Sequence, residues 1–96
     1  MRRCYLVCYD IRDPKRLRQV FKIMKGYGEH WQYSIFFCVL KDIDRVRLQA
    51  DLESKMNLKQ DQALLIDLGP NEKEVRNAAT IIGQSLPFKG DSIIVI

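Results

Sequence analysis

Cys4-Tyr5-Leu6-Val7-Cys8-Tyr9-Asp10-Ile11, followed at once by Arg12-Asp13-Pro14-Lys15-Arg16-Leu17-Arg18, decides how the rest of the chain is read. Over 4–11, Tyr5, Val7, Tyr9 and Ile11 alternate with Cys4, Leu6, Cys8 and Asp10, the period of two that marks a β-strand. Asp13-Pro14 then opens a helix, with an acid at the N-cap and proline at the first helical position. Leu17, Val20, Phe21, Met24 and Tyr27 recur at three- and four-residue steps, so the helix is amphipathic and turns Lys15, Arg18, Lys22 and Lys25 outward. Gly26 and Gly28 end it. Asp10 closes the strand although a strand needs no acid there. Beside a turn and a row of arginines, such a carboxylate suits metal binding where a phosphate is held; the structural alternative is an aspartate that only solvates the strand end.

Further along, 32–40 carries aromatic and β-branched residues on both faces, as expected of a central strand covered on each side. Asp42 or Asp44 can cap a second helix that reaches about Met56. Its apolar positions form two looser sets, Ile43, Val46 and Ala50 or Leu48, Leu52 and Met56. Residues 63–68 read as a third strand stopped by Gly69-Pro70, 71–77 as a short helical turn, and 78–82 as a fourth strand. Residues 91–96 read as a short terminal strand. The expected class is α+β, a ferredoxin-like sandwich with a βαββαβ core in one domain spanning 1–96. Helices on one face leave the other bare, where Leu6, Cys8, Phe36 and Cys38 would form a wet apolar patch. The terminal strand would be an unpaired edge. Both features point to a symmetric homodimer, with Cys8, Phe36 and Ile94 at its interface.

With 96 residues the chain is long enough for a single modest core. No apolar run reaches the roughly 18 residues of a membrane span, and no secretory leader is visible, so a cytoplasmic location is expected. Cys4, Cys8 and Cys38 lie in apolar runs without a tight Cys-x-x-Cys spacing, the pattern of buried small hydrophobes. Charge is uneven: residues 1–30 hold eight basic and three acidic side chains, a net of +5, whereas 41–96 hold eight and nine, a net of −1. The excess sits on the first strand and helix, where Arg12, Lys15, Arg16, Arg18 and Lys22 are candidates to track a nucleic-acid backbone. The alternative is a merely solvated helix face.

Three groups of residues, in order and at family spacing, resemble one known family. They are Tyr-Leu-Val-Cys-Tyr-Asp-Ile at 5–11, Lys-Arg-Leu-Arg at 15–18, and Tyr-Gly at 27–28 followed by Gln-Tyr-Ser-Ile-Phe at 32–36. The family is the small CRISPR-associated endonuclease of the adaptation module, the Cas-two family. The resemblance runs from about residue 4 to 69, and the terminal Ile-Ile-Val-Ile is similar to that family's last strand. It implies a ferredoxin-like homodimer with facing sheets, in which 90–96 pairs with the partner protomer. It also implies spacer acquisition, with magnesium-dependent cleavage of RNA or double-stranded DNA and a dimer bridging two dimers of the CRISPR integrase. Asp10 matches the family's metal-binding acid and is the expected catalytic residue, holding magnesium or another divalent cation such as manganese. One carboxylate is a poor magnesium site, and a two-fold axis near Asp10 would supply a second. Arg16 or Arg18 could steady the scissile phosphate.

The chain departs from the family where many relatives carry an arginine just before the strand-two glutamine: here stand His30 and Trp31, and His30 is the only histidine. It is a candidate acid–base group, or simply an exposed loop side chain. Tyr9 could touch substrate or pack in the core. Two other readings remain, a non-catalytic DNA-binding scaffold of the integrase and an RNA-recognition-type module. The second needs an RNP-like aromatic pattern that the first strand lacks.

Overall fold

The computed structural model describes residues 1–84 and the backbone of 94–95. Its elements are β1 (Arg2–Asp10), α1 (Pro14–Lys25), β2 (Glu29–Gln32), β3 (Ile35–Lys41), α2 (Asp42–Lys55), β4 (Gln62–Gly69), α3 (Glu72–Ala78), β5 (Thr80–Ile81) and β6 (Ile94–Val95). Four strands form one antiparallel sheet in the order β2-β3-β1-β4, so the first six elements make a ferredoxin-like βαββαβ unit. β5 and β6 pair in parallel as a separate ribbon. The expected pairing of 90–96 with a partner falls largely outside the described residues.

α1 begins as its sequence dictates. Asp13 accepts a hydrogen bond from the Arg16 N–H at 2.9 Å, and Pro14 occupies the first turn. The capping oxygen satisfies one of the donors that no helical carbonyl can reach. Val20 and Met24 are fully buried beneath the helix. α2 differs from expectation at its start. Lys41 is the N-cap and makes no side-chain capping bond, while Asp42 and Asp44 lie in the first turn, where they favour the positive end of the helix dipole. Of its two apolar sets, Leu48 and Leu52 are buried, whereas Ile43 and Val46 are exposed. Tyr27 ties the helices together by donating its hydroxyl hydrogen to Asp51 at 2.7 Å.

The run 32–40 is not one strand. It breaks at Tyr33-Ser34 into the β2–β3 hairpin, which slips in register between His30 and Gln32. The fourth strand expected at 78–82 shrinks to β5, because α3 continues to Ala78. The faces of β3 also differ from expectation. Val7 pairs with Phe36 and Tyr5 with Cys38, which places Phe36 and Cys38 on the helix side, fully buried among Tyr9, Val20, Met24 and Leu48. Phe36 is therefore a core residue of the protomer and not part of a dimer patch. Its neighbour Phe37 takes the opposite face, across from Leu6.

That opposite face has two halves. Over Phe37, Trp31 stacks at 4.7 Å between centroids and the Arg76 guanidinium lies 4.8 Å from the ring. Arg76 is held in turn by Glu29 and Glu72, so α3 is strapped across this half. The other half, with Leu64, Ile66 and the half-buried Cys8, stays open to solvent. A bulge between Cys4 and Tyr5 ends β4. Gly69 takes a positive φ of 93° there and donates to Asp67, which also binds Arg3 at 2.8 Å.

Candidate nucleic-acid interface

β1 runs through the sheet and delivers two consecutive residues to its far end on opposite faces. Asp10 leaves the sheet with its side chain 61% exposed, and among the described residues the only charge paired with it is Arg12, at 3.3 Å and similarly open. Among the described residues no three His, Cys, Asp or Glu side chains gather as a metal cluster. One protomer thus offers a single accessible carboxylate, flanked by a guanidinium. Magnesium is commonly held through one or two carboxylates together with substrate phosphates, so Asp10 fits as one ligand and not as a complete cage.

Around Asp10 the predicted basic residues separate into two kinds. Arg12, Lys15, Arg18 and Lys22 are exposed, and Lys15, Arg18 and Lys22 enter no ion pair among the described residues. Arg16 is different. Its Nε donates to Asp61 at 2.8 Å and its Nη2 to Asp61 and Gln60 at 3.1 and 3.2 Å. Asp61, whose side chain has no solvent exposure, also accepts the N–H groups of Arg12 and Asn57 at 2.9 and 2.8 Å. The Arg16 hydrogen bond, reinforced by those amides, holds the Asp61 carboxyl well below the usual carboxylate range. Arg16 is therefore a structural clamp between α1 and the turn before β4, with its Nε and Nη2 committed to Asp61 and Gln60. Asp61 escaped the sequence reading because its partner stands 45 positions earlier, and a lone acid after a turn carries no local signal.

Tyr9 enters the other face. Its N–H donates to the Ser34 carbonyl at 3.1 Å, joining β1 to the hairpin turn. The ring stacks toward Phe36 at 6.3 Å, and the residue is 7% exposed. Its hydroxyl is buried without a hydrogen-bond partner, and desolvation pushes the phenol up to about 12. Leu17, Arg18 and Phe21 of α1, with His30 and Tyr33 of the hairpin, join Tyr9 around a cavity of about 320 Å³. His30 stands in β2 and not in a loop. It lies 4.8 Å from Phe36 in a near-parallel stack and meets Phe21 edge-on at 5.1 Å. Its Nε2 is 3.2 Å from the Tyr33 carbonyl, an acceptor that requires the proton on Nε2. Tyr33 at the hairpin tip is 86% exposed.

Cys8 sits half-buried on the open face, and the Ile94 side chain lies outside the described residues. Cys4 and Cys38 are buried and unreactive in kind, with burial pushing the Cys38 thiol up to about 12. No helix among the described residues is long and apolar enough to cross a membrane.

The profile of the family described as CRISPR associated protein Cas2 matches residues 2–76. A protein of Rhodospirillum rubrum named CRISPR-associated endoribonuclease Cas2 1 is 52% identical over 68 residues, covering 71% of this chain and 67% of that one. A Geobacter sulfurreducens protein named CRISPR-associated endoribonuclease Cas2 is 36% identical over 96 residues, covering 99% and 100%. Among solved structures, that of Streptococcus pyogenes Cas2 at pH 6.5 superposes with a TM-score of 0.67 at 31% identity, covering 75% of this chain and 93% of that one.

Proposed function

The chain belongs to the Cas2 family of CRISPR-associated proteins, and from that premise we propose that it is a cytoplasmic endonuclease of CRISPR adaptation, hydrolysing phosphodiester bonds at Asp10. The observation that carries the reading is the pairing of an exposed carboxylate at the end of β1 with basic side chains that have no acidic partner among the described residues. An acid kept open to solvent in that setting is available to a ligand. The relatives are named endoribonucleases, which favours RNA as substrate; double-stranded DNA is the other candidate.

Asp10 would hold a divalent cation, magnesium or manganese, completed by substrate oxygens and by Asp10 of a second copy. Such an ion supplies Lewis acidity toward a phosphoryl oxygen and a more acidic water. This chain's own side chains do the rest. The Arg12 guanidinium, exposed and only 3.3 Å from Asp10, is placed to exchange the carboxylate for a phosphate when the acid takes a metal. Arg18, Lys15 and Lys22 continue the positive track along α1. Hydrolysis adds water to phosphorus and breaks one P–O ester bond, and the departing oxygen takes up a proton.

The open half of the sheet, with Leu64, Ile66 and Cys8, favours a homodimer formed face to face, with 90–96 reaching the partner's sheet. The dimer would also bridge two dimers of the CRISPR integrase. A second reading, a scaffold that binds duplex DNA without cutting it, is favoured by the exposed Lys15, Arg18 and Lys22, which would hold a backbone whether or not Asp10 takes a metal. Magnesium-dependent cleavage of labelled RNA and duplex DNA by wild type and Asp10→Ala separates the two. Cleavage confined to wild type supports the enzyme. Duplex binding without cleavage by either protein leaves the scaffold.

A further inference from the structure

The recess between α1 and the hairpin has no part in metal binding, yet it has the make-up of a ligand site. At about 320 Å³ it lies at the small end of ligand pockets, which run from roughly 300 to 1,000 Å³. Its walls are aromatic: Tyr9, Phe21, His30 and Tyr33. Arg18 is the one formally charged residue at its rim. A buried hydroxyl without a partner is costly in a folded protein, and the Tyr9 hydroxyl is the only such side-chain atom among the described residues. A large aromatic side chain left in water at a hairpin tip, as Tyr33 is, offers a flat stacking surface. Together these features ask for a planar, mostly apolar group with hydrogen-bonding capacity and a nearby negative charge.

We propose that this recess holds one unstacked nucleobase of a single strand, with the adjoining phosphate resting against Arg18 at the Asp10 end of β1. The inference takes its ligand class from the nucleic-acid hydrolase reading above, and its details from the recess alone. Tyr33 covers the base face, since aromatic stacking accepts any base. The Tyr9 hydroxyl, closed to solvent in the empty recess, meets a polar atom of the base edge once the ring turns on binding, and so ranks the bases. Tyr9 and Asp10 are consecutive at the end of β1, so a strand that seats a base against Tyr9 has the carboxylate within reach of its sugar–phosphate chain past the strand end. A base within a duplex is stacked and paired, and reaches such a recess only by being extruded. The recess therefore selects single strands, or the frayed ends of duplexes, for presentation to Asp10.

The test uses the whole chain in EDTA, so that binding is read without cleavage. The probes are single-stranded ribo-oligonucleotides of the four homopolymers, one of identical length with abasic sugars, and one carrying 2-aminopurine. Wild type is expected to bind the base-bearing strands about tenfold or more tighter than the abasic strand, and to change the 2-aminopurine fluorescence. Tyr33→Ala, at an exposed position, should remove most of that difference while leaving the salt dependence of binding unchanged, because phosphate contacts set the salt slope. Tyr9→Phe should keep the base-dependent gain and level the ranking among the four bases. Equal binding of abasic and base-bearing strands overturns the proposal, as does a base-dependent gain untouched by Tyr33→Ala. Base-dependent binding by a protein that never cleaves upholds the recess and sinks the hydrolase reading. Cleavage with equal binding of abasic strands does the reverse. A protein that binds no nucleic acid overturns both.

Discussion

Two arginine–aspartate pairs stand side by side at the end of β1 and use the same chemistry to opposite ends. Arg16 and Asp61 meet at 2.8 Å with the carboxylate shut away from solvent, and two backbone amides complete its coordination. Arg12 and Asp10 meet at 3.3 Å with both side chains open. A buried pair whose lone pairs are all satisfied locks one geometry, and breaking it strands a charge. An exposed pair gains little from its own attraction and dissolves readily. The first region is therefore architecture and the second is available for exchange. The sequence offers Arg16 or Arg18 for the phosphate; the fold ties Arg16 to Asp61 and leaves Arg18 exposed.

The sharpest way to break the comparison is to remove Asp61. Asp61→Ala leaves the Arg16 guanidinium without its carboxylate and the amides of Arg12 and Asn57 without an acceptor. Thermal and urea unfolding should show it as the least stable of the variants named here; a midpoint equal to wild type would remove the architectural role. The same carboxylate gives the pair a signature in acid. Its folded-state pKa is depressed below the ordinary aspartate value of about 3.9. Its stabilisation is thus complete at neutral pH and is lost as pH falls from about 4 toward the folded-state value. Asp61→Ala should flatten the stability profile in that window, and an unchanged slope would count against the assignment.

Next in size is Phe36→Ala, which deletes a fully buried ring beside Tyr9 and His30. It should cost about 3–5 kcal/mol in denaturant titration, with the oligomeric state of the folded protein unaltered. A change confined to dimerisation would instead return Phe36 to the interface. Smaller still is the joint replacement Lys15→Ala and Lys22→Ala, on exposed side chains of α1. Stability should move by no more than about 0.5 kcal/mol, while the slope of log binding constant against log salt falls by about 1 for each lysine that meets a phosphate. At the bottom for stability stands Asp10→Ala, again within about 0.5 kcal/mol, although cleavage should drop to background. A marked loss of stability there would erase the distinction between the two pairs.

The parts legible in the sequence are those set by local rules. The alternation over 4–11, the Asp13-Pro14 helix start and the stripe from Leu17 to Tyr27 each depend on neighbours within a few residues, and β1 and α1 appear there, with Ile11 and Tyr27 falling just past their ends. The placement of Asp10 beside the basic helix follows from β1 running directly into α1. What was not legible depends on pairing across the chain. Nothing in 32–40 announces that Tyr33-Ser34 is a turn, because Tyr and Ser also suit a strand; the break follows from where β1 ends and where Tyr9 finds the Ser34 carbonyl. The assignment of Phe36 and Phe37 to opposite faces hangs on a one-residue choice of register. The clamp of Arg76 by Glu29 links positions 47 apart, and no local pattern encodes it.

Gly28 sits in the link between α1 and β2, and a Cβ built there would collide with the Cys38 sulfur and the Phe37 carbonyl. The obstacle includes rigid strand backbone and cannot simply rotate aside. The start of the β2 arm of the hairpin is thereby seated on β3 by hard-sphere contact, with no side chain as spacer. Because that hairpin carries His30 and Tyr33, the width of the recess is set at a position five residues before its outermost ring. A single added methyl at Gly28 would act as a wedge, widening or skewing the aromatic slot while leaving every residue in its walls chemically intact.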